Sequence, residues 1–117
     1  MPDGCLLCIN DKGGRVYRIR PRTGITSLPV TEDPAFIPER VAEALRRPIM
    51  PMDGEGLARD DAGRIYVCDE GRREILRFEP GRGPTVLPIN WAPVSRYFSR
   101  TSANASFEGV AVGDGML

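Results

Sequence analysis

Short apolar or alternating runs recur along the chain, each bounded by Gly, Pro, Asp or Asn. Val16–Arg20 and Ile75–Glu79 alternate apolar and polar positions, as a strand with one face in a core requires. Leu6–Ile9 and Ile65–Cys68 are apolar runs of strand length. Between these runs fall Asp11–Gly14, Glu70–Arg73, Pro21–Gly24 and Pro80–Gly83, which carry residues that favour turn dihedrals. Short third strands are expected to end at Pro29 and Pro88, because proline has no N–H to give a ladder and sits at strand ends or edges. Eleven Pro and thirteen Gly suit many short strands joined by tight turns.

These runs are two copies of one pattern. Residues 4–30, GCLLCINDKGGRVYRIRPRTGITSLPV, lie without a gap over residues 63–89, GRIYVCDEGRREILRFEPGRGPTVLPI. Gly4 meets Gly63, Arg18 meets Arg77, Pro21 meets Pro80, Gly24 meets Gly83 and Pro29 meets Pro88. The second copy has one more strand in front, Glu55–Arg59, joined through the turn Asp60–Gly63. Four antiparallel strands in sequence order are the unit of a propeller blade. Glu55-Gly56-Leu57-Ala58 then recurs as Glu108-Gly109-Val110-Ala111, which makes residues 106–117 the first strand of a further unit.

A lone blade cannot bury both of its faces, and stacked repeats need neighbours. The expected fold class is therefore all-β, a β-propeller fragment of about one and a half to two four-stranded blades with a short helical insertion. The expected divisions are a partial blade at 1–30, an insertion at 31–52, a complete blade at 53–89, a second insertion at 90–105 and the opening strand at 106–117. The expected partners of the open faces are the remaining blades of a parent propeller or further copies of the chain. Within 31–52, a proline at the first turn, Ile37, Val41, Ala44 and Leu45 at helical spacing and a stop at Pro48 predict a short helix. Residues 90–105 are aromatic and polar without a clear period, which fits a lid, a packing segment or an irregular loop.

Composition narrows the function classes. Sixteen Lys and Arg balance sixteen Asp and Glu, so no long-range field draws nucleic acid or an anionic membrane. No apolar run approaches the roughly 20 residues of a spanning helix. The opening MPDGCLLCINDKGG has neither a basic n-region nor a long apolar h-region, so no signal peptide is expected within it. Histidine is absent, which excludes a Ser–His triad. Cys5 and Cys8 form a CxxC, yet in a strand the two thiols point to opposite faces, and no second pair or histidine completes a zinc site. The pair is expected to be buried apolar filler, and with Cys68 the odd number of cysteines favours a reducing compartment.

The stretch DGEGLARDDAGRIYVCDEGRREILRFEP, followed by NASFEGVAV, resembles the phytase-like propeller family known as "esterase-like activity of phytase". Asp53, Glu55, Gly56, Leu57 and Ala58 match its D-x-E-G-[IL]-A strand; Gly63, Arg64, Tyr66, Val67, Asp69 and Glu70 match its D-G-R-[IL]-[YW]-V-S-D-E strand. Ile75, Arg77, Phe78 and Pro80 match the next element, and Asn104, Phe107, Glu108, Gly109 and Ala111 the one after the insertion. Cys68 stands where serine is usual, and Ala105-Ser106 where Arg-Gly is usual. Gluconolactonase-like and SdiA-regulated-like propellers share the D-x-E-G element.

Glu55 and Glu108 hold equivalent places at the start of successive innermost strands, where pseudo-rotational symmetry gathers carboxylates near an axis. Clustered carboxylate oxygens suit a hard cation, calcium first and magnesium second. Asp53, two residues before Glu55, shares its strand face and is a third candidate ligand. The competing reading has each Glu accept backbone hydrogen bonds from a neighbouring blade. Asp69 and Glu70 open a turn and read as exposed or Asx-type turn residues, while the resemblance implies substrate contact for Asp69 and Asn104. Gly54, Gly56 and Gly109 allow close backbone approach, for packing or for a ligand.

The resemblance implies a fragment of a calcium-dependent hydrolase of small-molecule esters or phosphoesters, working through metal-activated water with a carboxylate as base. The alternative is a non-catalytic propeller that binds a protein or small ligand. Most ligands of such a site would come from blades outside this chain. The purified chain by itself is therefore expected to show no turnover of p-nitrophenyl esters or phosphates, and measurable hydrolysis would contradict that.

Overall fold

The computed structural model describes residues 4–10, 13–20, 30–50, 52–97 and 109–113. Their elements are β1 (Leu6–Ile9), β2 (Val16–Ile19), β3 (Val30–Glu32), α1 (Pro38–Leu45), β4 (Gly54–Arg59), β5 (Ile65–Asp69), β6 (Glu74–Phe78) and β7 (Pro84–Val86). The fold is all-β with one short α-helix. Strands β1-β2-β3 form one antiparallel sheet and β4-β5-β6-β7 a second, each in sequence order. The two repeats fold alike where they overlap: β1 and β2 hold the places of β5 and β6.

The third strand of the first copy departs from the repeat. In the second copy Leu76 pairs with Val86 and Phe78 with Pro84. In the first, Tyr17 pairs with Glu32 and Ile19 with Val30, so the described partner of β2 is Val30–Glu32; the strand expected to end at Pro29 lies outside the described residues. The β-branched Val30-Thr31 supplies N–H groups that Pro29 lacks. Beyond the ladder, Asp33 N–H donates to Val16 O (2.8 Å), and Arg18 Nε and Nη2 donate to Asp33 Oδ2 (3.1 and 2.9 Å). Arg15 also pairs with Glu32.

Asp33 then starts the insertion by accepting the N–H of Ala35 (3.1 Å) at the head of a 3₁₀ turn, Pro34–Phe36. Helix α1 follows with proline in its first turn and ends at Arg46, whose φ of 53° is left-handed. The helix ends before Pro48. Its buried stripe is Val41, Ala42 and the half-buried Leu45, so the expected Ala44 is exposed. The residues facing inward follow Pro38 at helical spacing, and that face is set by the sheet beneath. Arg47 ties the end of the helix to Glu74 of β6 at 2.7 Å. A second 3₁₀ stretch, Ala92–Tyr97, occupies part of the second insertion. The strand expected at 106–117 lies mostly outside the described residues.

One core joins both sheets and the helix: Val16, Phe36, Val41, Met52, Ile65, Val67, Leu76 and Phe78, with Leu7, Ile9, Leu45 and Leu57 packed at its margin. The Phe36 and Phe78 rings meet at 4.1 Å between centroids, tilted by 37°. Cys5 is buried, as expected, and so is Cys68, but Cys8 is exposed rather than buried. It sits on the face of β1 turned away from that core.

Asp60 organises the β4–β5 hairpin. Its Oδ1 accepts the N–H groups of Ala62 (3.0 Å) and Arg64 (2.9 Å), and its Oδ2 accepts from Arg64 Nε (2.6 Å) and the Tyr66 hydroxyl (3.0 Å). Burial alone would raise the Asp60 carboxyl, but hydrogen bonds from the Arg64 side chain and backbone and from Tyr66 hold it below the ordinary carboxylate value. A depressed pKa stabilises the fold above the unfolded value, and that contribution fades as pH falls through the folded one. Asp60→Asn is thus expected to be less stable than wild type at neutral pH. The difference should shrink below about pH 4, where the unfolded carboxyl gains its proton, and vanish lower still; denaturant titrations across acidic pH would check this. Leu76→Ala should cost about 2–5 kcal/mol in the same assay, and Leu6→Ala, at a half-exposed position, less than about 0.5 kcal/mol.

Candidate functional site

The start of β4 and the end of β5 form the site. From the hairpin upward the two strands pair regularly, Arg59 with Ile65 and on to Gly56 with Cys68. The next pair is Gly54 with Asp69, so Glu55 is an extra residue in β4, a bulge. An unbroken register would set Glu70 opposite Gly54, on the other face from Asp53. The extra residue shifts Glu70 opposite Asp53, and Glu70 N–H donates to Asp53 O (2.9 Å). As a result, one carboxylate oxygen from each of Asp53, Glu55 and Glu70 lies within 4.8 Å of the others.

Two of these three, Asp53 and Glu55, are candidate ligands by sequence as well. The sequence pattern predicts an exposed or Asx-type turn residue at Glu70, yet it is only 3% exposed. Register arithmetic from the hairpin would not have found it, because only the bulge moves it to the right face. Three carboxylates this close repel one another unless a proton or a cation intervenes. Their donors are all hard oxygens, the set calcium and magnesium prefer. The neighbouring Cys68 thiol is pushed up to about 12, by burial first and then by Asp69, Glu70 and Glu55. It stays protonated at neutral pH and adds no soft ligand.

Asp69 holds the site's framework. Its side chain is 1% exposed rather than solvent-facing. Oδ1 accepts the N–H of Asp53 (3.3 Å) and the N–H of Arg72 (3.3 Å), and Oδ2 accepts from Arg72 Nη1 (3.1 Å). Arg72 Nη2 also reaches Met50 O (3.3 Å), so this pair ties the β5–β6 turn to the segment leading into β4. Asp69 is thus a buried residue that forms the turn through the N–H three residues on, not an exposed one.

Gly54 and Gly56 serve close packing on opposite sides of the bulge. A Cβ on Gly54 would come within 2.5 Å of Ile9 Cδ1, and one on Gly56 within 2.8 Å of Gly109 Cα. Gly109, the residue after Glu108, thus lies against Gly56, the residue after Glu55. Glu108 and Asn104 themselves lie outside the described residues.

A family model described as phytase-like, esterase-like activity of phytase, matches residues 1–116. The chain belongs to the phytase-like family. No curated protein and no solved structure matches it. The phytase-like match spans both sheets, the helical insertion and the carboxylate cluster, and so extends well beyond the residues 53–111 that carry the motifs. Among the described residues no helix is long and apolar enough to cross a membrane.

The charge around Cys68 gives a direct chemical readout. Of the three cysteines, only Cys8 is exposed. A dilute native sample at pH 8 is expected to yield one thiol to a disulfide reagent, and the denatured chain all three. Cys8→Ser should remove the native signal. A second fast-reacting native thiol would contradict the burial of Cys5 and Cys68.

Proposed function

We propose that this chain is a segment of a propeller hydrolase that acts on small-molecule esters or phosphoesters and uses calcium held by Asp53, Glu55, Glu70 and Glu108. The observation that carries the reading is the meeting of Asp53, Glu55 and Glu70 at a bulge in a chain of the phytase-like family. Bound calcium would supply positive charge that polarises the ester or phosphoryl oxygen and offsets charge developing there.

The chain's own groups do the rest. The three carboxylates bind and orient, and Glu70, the most buried of them, keeps one side of the site closed to bulk water. With histidine absent, a carboxylate is the natural acceptor for the proton of the attacking water. Asp69 enters as a positioning residue, because its link to Arg72 fixes the turn that carries Glu70. Asn104 enters as a substrate contact through the family resemblance. The remaining blades of the propeller complete the site.

Calcium binding by the chain tests the site apart from turnover. Calorimetric titration, or terbium luminescence with calcium competition, should detect binding, and Glu70→Gln should weaken it at least about tenfold, or ~1.4 kcal/mol. A version carrying the further blades should hydrolyse p-nitrophenyl acetate or phosphate in a chelator-sensitive way, with Glu55→Gln and Glu108→Gln inactive. Calcium binding without turnover of any ester would favour the binding scaffold. Absence of both would sink the proposal.

A further inference from the structure

The β5–β6 turn, Glu70–Arg73, has its glycine where the backbone does not need one. Arg73 N–H donates to Glu70 O (3.1 Å), and Arg73 itself takes the left-handed conformation, with a φ of 51°. Glycine is the usual residue at such a position, because it has no Cβ to strain. Here the glycine is Gly71, two residues earlier, and its φ is not positive. Conformation does not call for glycine at 71, but space does. A Cβ on Gly71 would stand 3.3 Å from Asp53 Cβ, 3.7 Å from Asp53 Oδ2 and 3.6 Å from Asp69 Oδ1. Asp53 has little freedom to give way, since its N–H donates to Asp69 and its carbonyl accepts from Glu70.

Beside this contact lies a hollow of about 150 Å³, bordered by Met50, Asp53, Asp69, Gly71 and Arg72. At roughly 30 Å³ for each water it has room for about five. Two carboxylates and a guanidinium on its border make it a place for water. Asp53 belongs both to the hollow and to the carboxylate cluster. Calcium takes about six to eight oxygens, more than one from each of three carboxylates can supply. The others come from water or from a ligand, and the hollow has room for them against Asp53.

We propose that Gly71 is a positioning residue that keeps this hollow open, so that a cation held at Asp53, Glu55 and Glu70 retains exchangeable water on the Asp53 side, where an oxygen of the substrate takes the water's place. The inference rests on the calcium reading of the three carboxylates and adds the side from which the ion is reached. The walls of that approach are the β5–β6 turn and the Met50–Asp53 segment. Arg72 holds them in register, bonded to Asp69 Oδ2 and to Met50 O. A side chain at 71 would fill the gap between Asp53 and Asp69. An ion closed in by protein oxygens alone stabilises a fold, whereas a hydrolytic ion needs an open position.

Terbium bound to the full chain is the test, because its luminescence lifetimes in ordinary and heavy water count the waters on the ion. Wild type should keep at least about two. Gly71→Ala should lose about one of these, and Gly71→Leu more, with terbium still bound and circular dichroism unchanged. Gly83→Ala is the control: its Cβ would meet only Ala44 Cβ at 3.5 Å, an ordinary contact, and the water count should hold. Acetate, a small oxygen ligand, should displace water from the wild-type ion and lengthen its lifetime, but not in Gly71→Leu. Should Gly71→Leu fail to fold, Gly71→Ala and the acetate response of wild type decide. Unchanged water counts in folded Gly71 variants would overturn the inference and leave the cation site standing. So would a wild-type ion with no water for acetate to displace. A chain that binds no terbium would sink the inference and the calcium reading together.

Discussion

The seam between the two sheets is the contact on which the rest of the molecule depends. Val16 and Ile9 of the first sheet, Val67, Leu76 and Phe78 of the second, and Val41 of the helix share one core. Burying a side chain of this size contributes about 1.5–3 kcal/mol, whereas exposed ion pairs, such as Arg15–Glu32, contribute about 0–1 kcal/mol each. Neither sheet encloses a core alone. The helical insertion is recruited to the same seam, with Phe36 against Phe78 and Arg47 on Glu74.

The carboxylate cluster is attached to that seam. Gly54, between Asp53 and Glu55, leaves room for Ile9 on one side of β4, while Gly56 takes the backbone of Gly109 on the other. Met52, buried in the core, fixes the chain immediately before Asp53. The bulge is thus held from both sides and anchored from before. Asp69 and Arg72 close the remaining freedom by tying the β5–β6 turn back to the Met50–Asp53 segment. The three carboxylates are kept close by this packing and these hydrogen bonds, an arrangement that a bound hard cation would favour.

Asp60, just after β4, and Asp69, at the end of β5, do a different kind of work from the cluster. Asp60 at the hairpin and Asp69 at the next turn each spend their oxygens on backbone N–H groups and an arginine. Such fully satisfied carboxylates define geometry and have little left for a ligand. Glu55 and Glu70 lie next to Cys68 and help keep its thiol protonated, which leaves an oxygen-only site. Family membership and this donor set both support the hard-cation site proposed above.

The sequence by itself determined β1, β2 and β4 to β6, the turns on either side of β5, and the match of β1 and β2 to β5 and β6. Alternation and turn chemistry are local properties, and a gap-free self-match carries the same local structure to both copies. It also marked Asp53 and Glu55, because residues two apart on a strand share a face. Tertiary structure decided what depends on register and on which faces meet. Strand β3 formed after Pro29, where Asp33 and Arg18 could lock it. The helix turned Ala42 inward and Ala44 outward to suit the sheet below. Glu70 joined the cluster through one extra residue in β4, an event no local pattern encodes because a strand's side-chain period reverses at a bulge. The exposure of Cys8 followed from the same cause: alternation says that two thiols face apart, and only the stacking of the sheets says which one meets the core.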